Sequence, residues 1–182
     1  MTKQEQIEEM AKIIDEMKIK DVKIGCKFKF GKIEFVKLDN AYGGCLCLAT
    51  DILFENRFDE DSENNWETST LRQELMKVIG DYINTGALVP FDRDLTTDDG
   101  LTDYGHCTDT ISLLTCDEYR KYRKLIPNCG EWHWTITADS VIYSYGVRRV
   151  NSDGSLTTYD AYYGSYGVRP LCVLKPNTIV EV

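Results

Sequence analysis

The chain has 182 residues, 42% of them hydrophobic and 28% charged, which suits one globular domain with a sizeable core and excludes a disordered segment. Its formal net charge of −9 sets it against nucleic acid and anionic lipid, and the only adjacent basic pair in the stretch 132–174 is Arg148–Arg149. No apolar run is long enough to span a membrane, and the charged N-terminus lacks the apolar core of a secretory signal. The expectation is a protein made in the cytoplasm, with no nucleic-acid or membrane partner; a virion component is compatible with that.

The seven cysteines are odd in number and include no Cys-x-x-Cys pair. Several lie in apolar runs, 43–49 and 170–174, and read as buried reduced thiols. Neither they nor His106 and His133 have the spacing of a zinc site, so no metal and no cofactor is expected.

In chain order, Thr2 to about Lys18 reads as a helix. Ile7, Met10, Ala11, Ile14 and Met17 fall on one face, and Thr2-x-x-Glu5 has the form of a capping box. Residues 1–20 are thus a short N-terminal helix packed on, or attached to, a single domain spanning 21–182. Val22–Ile24, Phe28–Phe30 and Ile33–Leu38 alternate apolar and polar residues as strands do. Gly31-Lys32 and Asn40–Gly44 are the turns of an antiparallel meander that ends in a buried strand, Cys45–Ala49.

Glu55–Glu63 carries five acids in nine residues and reads as a solvated loop, with a calcium site as the alternative. Neither it nor Asp92–Asp103 meets the EF-hand pattern, although Asp98, Asp99 and Asp103 are close enough in sequence to share a cation. Thr68–Ile83 is a second helix, with Leu71, Leu75, Val78, Ile79 and Tyr82 as its buried stripe. Thr68 or Ser69 can cap it, and Trp66 can anchor it to the core. Asp109–Leu114 reads as a strand. Thr115-x-x-Glu118 is a second capping box, opening a helix of about two turns that Pro127 ends.

The C-terminal stretch is unlike the rest. Val141–Val150 reads as one strand, Asn151–Gly154 as a hairpin turn, Ser155 as the start of the return strand, and Val168–Leu174 as a third strand. Six of the eleven tyrosines crowd into it, with Ser, Thr, Asn, Asp and Gly between them. Tyrosine offers large contact area at low entropic cost, and the small polar residues add adaptable hydrogen bonds, the mixture used by antibody loops. The candidate ligand-binding residues are therefore Tyr143, Ser144, Tyr145, Asn151, Thr157, Tyr159, Asp160, Tyr162, Tyr163, Ser165 and Tyr166, with Trp134. The competing reading is that the tyrosines are ordinary strand residues. Trp132 and Trp134 share one face of a strand, an arrangement more common in cores than in sites. Arg148 and Arg169 are expected to fix strands through carboxylates or carbonyls.

These residues also carry a family resemblance. Trp-x-Trp at 132–134, VRRV-x-x-DG at 147–154, an aromatic and small-residue segment, and GVRPLCVL at 167–174 resemble a phage and bacterial domain with a C-type-lectin-like fold. The upstream pieces CLATDILFE, NNWETSTLRQEL, DLTTDDGLTDYG and ISLLTCDEYRKYR extend the likeness along nearly the whole chain. The resemblance implies an α+β fold of antiparallel sheets with two main helices plus the N-terminal one. Some members of that family are variable proteins of diversity-generating retroelements, whose C-terminal segment is rewritten at template adenines and lines a ligand surface. Such rewriting often yields Asn, Tyr, Asp, Ser and Thr, while Gly154, Ala161 and Gly167–Pro170 look like fixed frame. One departure is WHWTITADS at 132–140, which lacks the proline often found there. The calcium-dependent sugar motifs of true C-type lectins are absent, so the expected partner is a protein or glycan at a cell or particle surface, bound without calcium.

The chain reads as a non-enzyme with no catalytic residue. It has no Gly-rich phosphate loop, HExxH or GxSxG. Cys107 with His106, or Cys129 with His133, can be written as a nucleophile and base. Two alternatives stand beside the binding reading. One is a catalyst like the formylglycine-generating enzymes, which share a similar fold and bind copper through two cysteines; the other is a structural subunit of a phage particle.

Overall fold

The computed structural model describes residues 2–7 and 16–182, and shows an α+β protein of mostly antiparallel sheets with few helices. Residues 3–7 are helical, and the Thr2–Glu5 capping box forms in both directions. Met10, Ala11 and Ile14 lie outside the described residues. The expected helix does not reach Lys18. Glu16–Lys18 is a strand, β1, paired with a C-terminal strand at Ile179–Glu181. A neighbouring strand offers those residues pairing on one side, and tertiary pairing overrides the local helical period.

The meander forms with one correction. Its strands are β2 (Lys27–Phe30), β3 (Ile33–Ala41) and β4 (Gly44–Ala49). Val22–Ile24 is no strand: Val22 closes a 3₁₀ turn over Ile19–Asp21. The cause is Lys37, 1% exposed, whose ammonium donates to the carbonyls of Ile19 at 3.0 Å, Lys20 at 3.2 Å and Val22 at 2.9 Å. A buried ammonium needs all three acceptors, and a curled segment supplies them. The β3–β4 connection is a two-residue turn with positive φ at Tyr42 and Gly43, as tight hairpins require.

These strands belong to a seven-stranded sheet, with order β1-β14-β2-β3-β4-β13-β8, where β8 is Ile111–Ser112, β13 Leu171–Leu174 and β14 the C-terminal strand. The sheet has core on both sides. Cys45, Cys47 and Cys172 face a cluster with Leu71, Leu75 and Trp66. Leu46, Leu48 and Val173 face another with Tyr119, Tyr122 and Ile126. The first cluster receives α1 (Thr70–Val78), capped by Ser69; the second receives α2 (Cys116–Tyr122), which opens with the expected Thr115–Glu118 box. No helix among the described residues is long and apolar enough to cross a membrane.

A second, five-stranded sheet has the order β11-β10-β9-β12-β5. Here β5 is Phe54–Asn56, β9 His133–Ala138, β10 Gly146–Val150, β11 Leu156–Asp160 and β12 Tyr166–Val168. Only the β9–β12 pairing in it is parallel. The two strands expected at Val141–Val150 and Val168–Leu174 are corrected. The first begins at Gly146, after a loop. The second is split between the two sheets at Arg169, whose buried guanidinium donates to the carbonyls of Ala49 (2.7 Å), Thr50 (3.0 Å) and Pro127 (2.8 Å). Asp109–Leu114 is also divided, between β7 (His106–Asp109), paired with β6 (Phe91–Asp94), and β8.

The acidic loop 55–63 is not wholly solvated. Asp59 is buried and accepts from the backbone N–H groups of Asp61, Glu63 and Thr70, which turns the chain into α1. Trp66 anchors that helix as expected, its indole donating to buried Asp109 at 2.7 Å, beside Arg72 at 2.8 Å from the other carboxylate oxygen.

Candidate functional site

The tyrosines gather around the five-stranded sheet on three pieces of chain: the loop 139–145 before β10, the β10–β11 hairpin, and the segment 161–165 with the first residue of β12. Each piece is fastened by its backbone. Asn64, fully buried, donates its amide to the carbonyls of Ser140 (2.9 Å), Tyr143 (3.2 Å) and Gly146 (2.9 Å), and its own N–H to Ser144 O at 2.7 Å. Tyr104 Oη in turn donates to Asn64 Oδ1 at 2.7 Å, fixing the amide's orientation. Ala161, also fully buried, joins the loops: its N–H donates to Tyr145 O at 2.8 Å, and its carbonyl accepts from Phe58 and Asp59.

With the backbone so held, the side chains point away. Tyr143 and Tyr145 are exposed, with rings 6.4 Å apart. Tyr163 is 78% exposed and packs edge-on against Tyr162, at 5.3 Å. Arg57 stacks on the Tyr162 ring at 4.4 Å. Ile142, beside these rings, is 71% exposed. Exposed aromatic and apolar side chains crowded on neighbouring loops mark a contact surface more often than an accident of folding.

Against Trp132, Tyr159 and Tyr166 lies a caged arginine. The Arg149 guanidinium carbon stands 4.2 Å from the Trp132 ring centroid, 4.3 Å from Tyr166 and 4.5 Å from Tyr159. Arg149 is mostly buried, bonds to Thr157 Oγ1 through Nε at 3.2 Å, and leaves Nη1 with no partner. The three ring faces replace the missing acceptors, because each carries negative quadrupole charge towards the cation. Trp132 is tethered by its indole N–H to Ser152 Oγ at 3.0 Å.

The residues expected at the surface divide into two groups. Tyr143, Ser144, Tyr145, Tyr162, Tyr163 and Ser165 make no side-chain hydrogen bond among the described residues, and Tyr159 is exposed over Arg149. Asn151, Thr157 and Asp160 are engaged within the frame: Thr157 Oγ1 donates to Asn151 Oδ1, Asn151 Nδ2 to Ser155 Oγ, and Ser62 Oγ to Asp160 Oδ1. Tyr166 is half-buried against Trp134, at 5.0 Å. Trp134 is corrected outright. It is 1% exposed, its indole donates to Asn56 O at 2.9 Å, and Phe58 packs edge-on against it. Trp132, placed on the same strand face, emerges where that face runs beyond the core. Arg148 reaches the carboxylates of Asp98 and Asp139 and the hydroxyl of Thr158, as expected of a strand-fixing group.

Sequence reasoning missed Asn64, the caging role of Arg149 and the exposure of Trp132. Asn64 lies 76 to 82 residues from the carbonyls that it holds, so no local pattern exposes it. Pairing of Arg149 with Trp134 and Thr157 across the sheet could have been guessed only with the register in hand.

Neither cysteine–histidine pair is assembled for catalysis. Cys107 points inward, and burial raises its thiol to about 11, while His106 lies on the opposite face of β7 in an exposed pair with Asp92 at 2.8 Å. His133 is buried, and burial together with Arg169 lowers its imidazole to about 3. Cys129 Sγ is directed to the Glu131 carbonyl at 3.7 Å. Two of the three aspartates considered for a cation, Asp98 and Asp99, are taken up separately. Asp98 pairs with Arg120 and Arg148, and Asp99 accepts from the hydroxyls of Thr97 and Ser140, which lower its pKa. No group of three or more His, Cys, Asp or Glu side chains among the described residues is arranged to hold a metal.

Residues 95–176 match the family described as Domain of unknown function (DUF6273). That span contains α2, both display loops and the Gly167–Pro170 frame. No curated protein and no solved structure matches the chain.

Proposed function

We propose that this chain is a ligand-binding protein of the receptor-recognition type, presenting a Tyr-, Ser- and Asn-rich surface on a C-type-lectin-like scaffold. One observation carries the reading: the display loops are held by backbone atoms, through Asn64 and Ala161, while Tyr143, Ser144, Tyr145, Tyr162, Tyr163 and Ser165 project free of hydrogen bonds. Side chains on such loops can be exchanged without cost to the scaffold. That is what a diversified surface requires, and it supports the resemblance to the variable proteins of diversity-generating retroelements. The mixed fold of mostly antiparallel sheets is compatible with the lectin-like scaffold. The ligand is a protein or glycan at a cell or particle surface, bound through rigid aromatic anchors with adaptable serine contacts. No calcium enters this reading; Asp98 and Asp99 are already engaged by arginines and hydroxyls.

Sequencing the locus tests the diversified form of this reading. A near-copy of codons 141–170 beside a reverse transcriptase, mismatched only at template adenines, is the expected result. Mismatches spread over all four bases, or no copy at all, would leave a surface with a fixed ligand.

A further inference from the structure

A cavity of about 270 Å³ opens beside the caged arginine, lined by Glu55, Glu131, Trp132, Ser152, Ser165 and Tyr166. Two of its walls are aromatic. The Trp132 wall is set before any ligand arrives, by the indole bond to Ser152. Neither Glu55 nor Glu131 has an ion-pair partner among the described residues; the nearest arginine in sequence, Arg57, is committed to Glu60 and to the Tyr162 ring. The rings here demonstrably accept guanidinium: Arg149 stacks on Trp132 and Tyr166 from outside the cavity lining, and Arg57 stacks on Tyr162.

We propose that this cavity takes the cationic side chain, lysine or arginine, of a protein partner. The proposal rests on the reading of the tyrosine surface as ligand-binding, and says which chemistry of the partner that surface grips. Aromatic walls attract a cation by their quadrupole, and two unpaired carboxylates supply the counter-charge. The positive charge of Arg149 opposes this, but it does not line the cavity and the carboxylates outnumber it. At longer range the chain's net charge of −9 draws in a basic partner and repels an acidic one. A neutral sugar would gain the ring stacking and leave both carboxylates without a counter-charge.

The test is a titration of the ¹⁵N-labelled full chain, following the Trp132 indole N–H, assigned with Trp132→Phe. The probes are Nα-acetyl-arginine amide, Nα-acetyl-lysine amide, the neutral Nα-acetyl-citrulline amide and methyl glucoside. The two cationic amides should shift the signal saturably, and citrulline amide should bind about tenfold more weakly, the combined size of one exposed cation–π contact and two exposed ion pairs. Glu55→Gln with Glu131→Gln should weaken arginine amide by a similar factor, with the Trp66 and Trp134 indole signals unmoved as a check on the fold. Equal binding of citrulline amide or methyl glucoside, unchanged arginine binding in the double variant, or no shift at all would overturn the proposal. If it falls while Tyr143→Ala, Tyr145→Ala and Tyr163→Ala together still abolish binding of ligands selected on the wild type, the cavity assignment fails and the binding surface stands.

Discussion

The side-chain amide of Asn64 donates to the carbonyl oxygen of Tyr143 at 3.2 Å, from 79 residues away. The same amide serves Ser140 and Gly146, so a single buried side chain shapes the loop that carries Tyr143 and Tyr145. Replacing it by Ala leaves the buried Ser140 carbonyl without a donor and removes one donor each from the carbonyls of Tyr143 and Gly146, which keep backbone donors. Asn64→Ala should cost about 3 kcal/mol in urea unfolding. It should also speed amide exchange in residues 141–146 while sparing β4 and β13; uniform exchange across the chain would show that Asn64 is ordinary core.

Exposed and buried aromatics should respond oppositely. Tyr143→Ala, Tyr145→Ala and Tyr163→Ala should each move stability by no more than about 0.5 kcal/mol, because the rings contact little besides each other and water. Trp134→Ala, which opens a hole beside Phe58 and Tyr166, should cost about 3–5 kcal/mol. Tyr166→Ala should fall between. Denaturant midpoints measured in parallel would settle the order, and a large loss at Tyr163 would mean that it is core.

Acid should act through His133. Burial first, then the positive Arg169, lowers its imidazole from 6.5 to about 3. In the unfolded chain the group takes up a proton as pH falls through 6.5, whereas in the folded chain it does so only near 3. Stability therefore rises with pH across that window and is lost progressively on acidification. The wild type should lose on the order of 2 kcal/mol more than His133→Gln between pH 7 and pH 4.5. The comparison cancels the common acid loss from Asp94, Asp99 and Asp153, whose pKa values hydrogen bonds lower. Parallel profiles would refute the assignment.

Thiol reactivity should sort the seven cysteines. Cys26 is exposed and Cys129 is half-exposed, while Cys45, Cys47, Cys107, Cys116 and Cys172 are buried. Burial also raises the Cys107 thiol to about 11 and that of Cys172 to about 12, so few thiolates exist at neutral pH. Mass spectrometry of the native protein after a thiol-exchange reagent should find adducts at Cys26 and Cys129 first. Early labelling at Cys172 would contradict its place inside the main sheet.

Local signals were legible where the chemistry is local. Both capping boxes, the tight turn at Tyr42–Gly43, the Asn151–Gly154 turn and the α1 stripe at Leu71 and Leu75 follow from neighbours a few residues apart. Errors came where a distant group decides. Lys37 curls Val22–Ile24, Arg169 divides Val168–Leu174 between two sheets, and Asn64 loops out Val141–Tyr145. The candidate surface was legible as a cluster of tyrosines, because composition survives ignorance of register. Which aromatics face outward was not, since Trp132 and Trp134 share a face and differ only in how far the core extends beneath them.

The central claim is that this face binds a ligand through its free aromatic side chains. The most direct measurement is a screen of the wild type against a glycan array and a displayed peptide library, repeated with Tyr143→Ala, Tyr145→Ala, Tyr162→Ala and Tyr163→Ala combined. The account predicts ligands that the wild type enriches and the quadruple variant, folded to the same unfolding midpoint, does not. Ligands retained undiminished by the variant would place the binding elsewhere on the molecule and contradict it.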